Sequence, residues 1–181
     1  MVRKSNNSSK SKGFTLIELL TVLSILMVLS AIAIPLFLGQ REKARTSALV
    51  SSAKGSVSEV QSWLDALLAG EPFVALNNGI QTCFEANNAG QSVKCSTVLP
   101  SYPSTGTYQV GDLSSFIAII INHHKSKNER SPYNGSQDLF VDTPGAAGTI
   151  VVSGSGSRTI QLTGFGSDVN NFIFSTVITG R

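Results

Sequence analysis

Four groups of residues in this 181-residue chain are of a type and spacing that could do chemistry. His123 and His124 stand side by side, and an imidazole pair can ligate a metal or move a proton. No acid and nucleophile stand at a telling distance from them, and with Lys125 and Lys127 nearby they suit a helix C-terminus, where the macrodipole favours cations. Gly154-Ser155-Gly156 has the outline of a phosphate loop, but no Lys-Ser/Thr accompanies it and no helix follows, so a hairpin turn is expected. Cys83 and Cys95 are the two cysteines, too few for a metal site without the distant histidines. The fourth feature is Glu18, a lone carboxylate in an apolar run. No constellation for catalysis, for a cofactor or for a metal emerges, and the chain reads as non-enzymatic.

The elements that must position Glu18 are written around it. Residues 14–38 are 25 positions without Lys or Arg, with only Thr15, Glu18, Thr21, Ser24 and Ser30 as polar interruptions besides proline. As a helix rising about 1.5 Å per residue, they extend roughly 37 Å, enough to cross a hydrocarbon core of about 30 Å. Arg3, Lys4, Lys10 and Lys12 precede the run with no acid among them, so the positive-inside rule places residues 1–13 in the cytoplasm and the chain beyond Gly39 on the far side. Arg41, Lys43 and Arg45 follow the run and soften that asymmetry. The net charge of +3 resides in the leader: from Phe14 onward, 10 basic side chains stand against 11 acidic ones, so charge does not indicate a nucleic-acid partner.

A secretory signal peptide is the plain alternative. Ala31 and Ala33 form a small-x-small pattern that would leave Ile34 first in the mature chain, although the run exceeds the usual apolar length of about 7–15 residues and holds a charge. A carboxylate in such a run is tolerable when a cation neutralises it, and no Lys or Arg on the same helix lies within one or two turns after Phe14. The partner must come from elsewhere. Cleavage after Gly13 would expose an α-amino group on Phe14, and that group on a neighbouring copy could supply the charge.

The stretch KGFTLIELLTVLSILMVLSAIAIPL, residues 12–36, resembles the class III signal of type IV pilins and of the related pseudopilins of type II secretion. The resemblance covers about the first 50 residues. It implies cleavage by a prepilin peptidase between Gly13 and Phe14, methylation of the new N-terminus at Phe14, a filament-assembly role for Glu18 and a helix kink at Pro35. It further implies a homopolymer of pilin subunits, built by an inner-membrane assembly machinery from a single-pass precursor whose head is periplasmic. The end product would be an extracellular fimbrium serving attachment, twitching motility or DNA uptake. A pseudopilin forming a periplasmic piston, or a minor pilin, remains the alternative. The calcium site common in the major pseudopilin would want clustered aspartates, whereas Asp138, Asp142 and Asp168 are scattered.

Beyond the membrane, residues 39–70 continue the helix as an amphipathic half. Ala53, Val57, Val60, Leu64 and Leu67 recur at spacings of four and three, broadened by Trp63 and Leu68, and Gly70 ends the pattern. One helix over residues 14–69 is expected, with Gly39 a weak point inside it. Residues 71–111 are rich in turn signals, among them Asn77-Asn78-Gly79 and Asn87-Asn88-Ala89-Gly90, and read as a connecting loop region. In an exported context, Cys83 and Cys95 favour a disulfide there, a placement that departs from the C-terminal disulfide of many pilins. Residues 112–181 read as a short helix capped by Asp112, then strands near 139–141, 149–153, 158–163 and 170–179 in an antiparallel meander. The run 116–121 also fits a buried strand. The fold class expected is α+β: a long N-terminal helix, membrane-spanning in its first half and packed in its second against an antiparallel sheet head. Asn134-Gly135-Ser136 matches a glycosylation acceptor within a turn.

Overall fold

The structure, a computed structural model, describes residues 13–87, 93–102, 104–168 and 170–181, with only the backbone of Ser104. The leader cations Arg3, Lys4, Lys10 and Lys12 and most of the turn expected at 87–90 lie outside them. Helix α1 runs unbroken over Leu16–Ala69, through Pro35 and Gly39. The chain divides into two compact units, Met1–Glu42 and Lys43–Arg181. In the first, every described side chain from Thr15 to Arg41 is exposed, so its apolar surface is uncovered among the described residues.

The second unit has its own core. From α1 it takes Leu49, Ala53, Val60, Trp63, Leu64 and Leu67, so the apolar stripe is buried nearly as its period requires; Val57 and Leu68 are half-buried at its edges. Gly70 adopts φ +73°, open to glycine at little cost, and the Glu71 amide bonds back to the Ala66 carbonyl, closing the helix.

Residues 71–111 correct the expectation of a connecting loop. They hold strands β1 (Phe73–Asn77) and β2 (Ile80–Ala86), the short helix α2 (Cys95–Val98) and strand β3 (Ser104–Tyr108). The sheet order is β1-β2-β3, with β2 antiparallel to β1 and parallel to β3. Asn78-Gly79 is the two-residue turn of a hairpin, both residues at positive φ. Phe73, Phe84 and Tyr108 join Trp63 and Phe116 in an aromatic cluster. Gly106 lies under the Phe84 ring, where a β-carbon would come within 2.5 Å of a ring carbon.

Helix α3 (Leu113–Ser126) begins as expected: the Asp112 carboxylate accepts from the backbone amides of Ser114 and Ser115. Those serines also donate their hydroxyls to it, holding its pKa down at about 2. A second sheet follows in the order β4-β5-β6-β7: β4 (Phe140–Val141), β5 (Ile150–Gly154), β6 (Thr159–Phe165) and β7 (Phe172–Thr179). Strands β5 to β7 form the meander, but β4 pairs parallel to β5, so the sheet is not wholly antiparallel. Ile150, Val152, Ile160, Leu162 and Ile178 face the shared core. The fold is α+β, an apolar N-terminal helix followed by largely antiparallel sheets.

Candidate functional site

The site begins at the N-terminal end of α1. A helix start leaves backbone amides without partners, and Thr15 with Glu18 closes this one as a capping box. The Glu18 amide donates to Thr15 Oγ1 at 3.3 Å, while Glu18 Oε2 accepts from the Thr15 amide at 2.9 Å and from the Thr15 hydroxyl at 2.6 Å. The spacing Thr-x-x-Glu ahead of an apolar run is the signature of this motif, an intrachain partner beside the cationic one expected for Glu18. In a single copy, the positive end of the helix dipole and two hydrogen bonds therefore hold one carboxylate oxygen in place. Glu18 Oε1 makes no hydrogen bond among the described residues and stays available to a cation.

Gly13 and Phe14 precede this cap. Both are exposed, Phe14 by 84%, and a Cβ at Gly13 would meet nothing within 4 Å among the described residues. Gly13, Phe14 and Glu18 thus stand together at one helix end. Pro35 lies farther along the same helix, where its missing N–H removes one rung of the backbone ladder. Outside Glu18, the side chains of residues 16–39 offer polar atoms only from hydroxyls, and those of Thr21 and Ser24 bond back to backbone carbonyls one turn earlier.

The remaining residues singled out by type occupy the head. Cys83 and Cys95 form a disulfide joining β2 to α2, with Cα atoms 6.0 Å apart. The Cys95 amide donates to Glu85 Oε2 at 2.8 Å, so strand, staple and short helix are tied at two points. His123 and His124 are buried, 5% and 2% exposed. His123 Nδ1 accepts from the Leu76 amide at 2.9 Å, its Nε2 faces Glu59 Oε1 at 3.2 Å, and its ring meets Trp63 edge-on. His124 stacks on Phe140 and lies 2.9 Å from Glu129 Oε2 through Nδ1. Both rings are core members tying α3 to α1, β1 and β4. Asp138 is held by Arg130 and by Lys125, while Asp142 and Asp168 are exposed. Gly154 and Gly156 sit at the β5–β6 hairpin, closed by the Ser155 amide on the Thr159 carbonyl at 2.9 Å.

A family model described as the prokaryotic N-terminal methylation motif matches residues 8–34. Its span includes Gly13, Phe14, Thr15 and Glu18 and ends one residue before Pro35. No solved structure matches the chain.

Proposed function

The chain carries the N-terminal methylation motif that forms the class III signal of type IV pilins, which supports membership of the pilin and pseudopilin family, and from that premise we propose that it is the structural subunit of a type IV pilus. A prepilin peptidase cuts the Gly13–Phe14 bond on the cytoplasmic side, and the amine of Phe14 is methylated. Before assembly the subunit sits in the inner membrane with its head in the periplasm. Polymerisation then moves residues 14–38 from lipid into the core of an extracellular fibre, apolar surface exchanging one apolar environment for another. Glu18 orders this exchange: its oxygens receive the Phe14 ammonium of the adjoining copy, and a mismatched position leaves both charges unpaired in a medium of low dielectric.

The observation that carries this reading is the conjunction at one helix end of an exposed Gly13–Phe14 bond, a capped but incompletely satisfied Glu18 and an apolar first half of α1 that is exposed throughout. Its test is Glu18→Ala. Membrane insertion and cleavage at Gly13 should persist, with a mature chain that begins at methylated Phe14, while filaments sheared from cells should be lost or greatly reduced. Normal filament yield from that variant would remove charge pairing, and a mature chain starting at Ile34 would make residues 1–33 a secretory signal. Electron microscopy with mass spectrometry of wild-type filaments separates the pilus from the piston: absence of the chain from long surface fibres moves it to the pseudopilins.

A further inference from the structure

Two Asn-Gly pairs occur in the chain, at 78–79 and 134–135, and the fold treats them differently. Such a pair can cyclise: the amide nitrogen of the glycine attacks Cγ of the asparagine, the Cγ–Nδ2 bond breaks and ammonia leaves. Water then opens the five-membered imide at either carbonyl, giving aspartate or isoaspartate. The step needs a free glycine amide, an accessible Cγ and stabilisation of the oxyanion that develops on Oδ1.

At Asn78-Gly79 the nucleophile is occupied. The Gly79 amide donates to Ser126 Oγ at 3.1 Å, and the turn is locked by the β1–β2 ladder on both sides. The neighbouring Asn77 is itself bonded through Oδ1 to Asn122 of α3, fixing the hairpin end against that helix.

At Asn134-Gly135 all three requirements are met. Asn134, Gly135 and Ser136 are exposed, the Gly135 amide makes no hydrogen bond among the described residues, and open space surrounds its Cα. Asn134 Oδ1 accepts twice from one residue: from the Ser136 amide at 3.2 Å and from the Ser136 hydroxyl at 2.7 Å. Two donors are already aimed at the oxygen on which negative charge will develop. The loop is held at its base by the Ser131 amide on the Gln137 carbonyl, the Gln137 amide on the Asn134 carbonyl and the bridge between Arg130 and Asp138. Asn134 is itself held, its amide donating to Ser131 Oγ at 3.2 Å and its carbonyl accepting from Gln137, while the attacking Gly135 nitrogen is left without a bond among the described residues.

We propose that Asn134 is a site of self-modification, converting through a cyclic imide to aspartate and isoaspartate, with Ser136 as the residue that stabilises the oxyanion. Water is the only co-reactant, the proton of Gly135 N passes to solvent base and Nδ2 departs as ammonia. The product places a new carboxylate one residue from Tyr133, whose ring lies 5.4 Å from the Arg45 guanidinium and whose hydroxyl meets Thr46 at 3.1 Å. Isoaspartate also lengthens the loop backbone by one methylene beside that contact.

The full chain in detergent micelles, incubated at pH 7.4 and 37 °C and then digested, provides the test by peptide mass spectrometry. The peptide containing Asn134 should gain one mass unit and split into two isomers, at least tenfold faster than the peptide containing Asn78. In urea the two peptides should react at similar rates, because the Gly79 protection is lost. Ser136→Ala should slow the Asn134 reaction several-fold, and Gly135→Ala should slow it further by crowding the attacking nitrogen; both substitutions are at exposed positions of a loop tip, so folding is preserved. An unmodified Asn134 after complete reaction of Asn78, or equal rates in the folded protein, would overturn the proposal. A Ser136→Ala chain reacting at the unaltered rate would overturn the role given to Ser136.

Discussion

At the scale of single residues, His123 shows how a side chain that looks chemical can be structural and still leave a measurable trace. Its Nδ1 is an acceptor for the Leu76 amide, so a second proton there displaces a backbone hydrogen bond. Burial pulls the imidazole pKa down to about 4, against the opposing attraction of Glu59. The unfolded chain protonates the same group near its ordinary value of about 6.5. As pH falls from about 6.5 to 4, the unfolded state gains a proton that the folded head refuses; the stability linked to His123 is therefore lost through that window, and this contribution is constant below it. The loss is on the order of 3 kcal/mol over the whole window and about 2 kcal/mol between pH 7 and pH 5 by linkage. Urea unfolding at pH 7 and pH 5 should show it, and His123→Gln should remove most of the difference. An unchanged difference in the variant would place the titration elsewhere. The histidines were visible in the sequence but their partners were not, since Glu59, Leu76 and Phe140 come from three separate elements. Glu18 is the reverse case: its position was legible from the apolar run, whereas its capping by Thr15, although the Thr-x-x-Glu spacing carries the signal, formed no part of that expectation.

At the scale of elements, legibility followed the strength of the local period. Helix α1 declared itself because a single stripe repeats over four turns and Gly70 stops it, and α3 because Asp112 and an apolar 3-4 spacing agree. The meander β5 to β7 was readable from β-branched alternation. The first sheet was not, for physical reasons. The Asn78-Gly79 turn signal is shared by loops and hairpins, and β3 is the polar sequence Ser-Thr-Gly-Thr-Tyr, which brings one buried aromatic, Tyr108, and earns its place through pairing with β2. Strand β4 has two residues, too short for any period. Packing at the α1 stripe carries a direct test: Leu64 is 0% exposed, and Leu64→Ala should cost about 2–5 kcal/mol in urea unfolding of the head. Reducing Cys83–Cys95, which closes a separation of 12 residues, should cost about 2–3 kcal/mol. A reduced chain of undiminished stability would mean that the β2–α2 junction is held by its hydrogen bonds alone.

At the scale of the whole molecule, the division between Met1–Glu42 and Lys43–Arg181 separates two kinds of surface. All the buried side chains of α1 begin at Leu49, so a fragment starting at Lys43 retains its entire core. It should express as a folded, disulfide-containing domain that stays in solution without detergent, checked by circular dichroism and sedimentation. Aggregation of that fragment would show that the head depends on the residues before it. Trp63 is the single tryptophan of the chain, and its ring centroid lies 4.7 Å from that of His123 in an edge-on pair. An imidazolium at that separation quenches indole emission where a neutral imidazole does so weakly. The native fluorescence of the unlabelled chain should therefore dim as His123 takes up its proton, giving an optical readout of the α1–α3 contact.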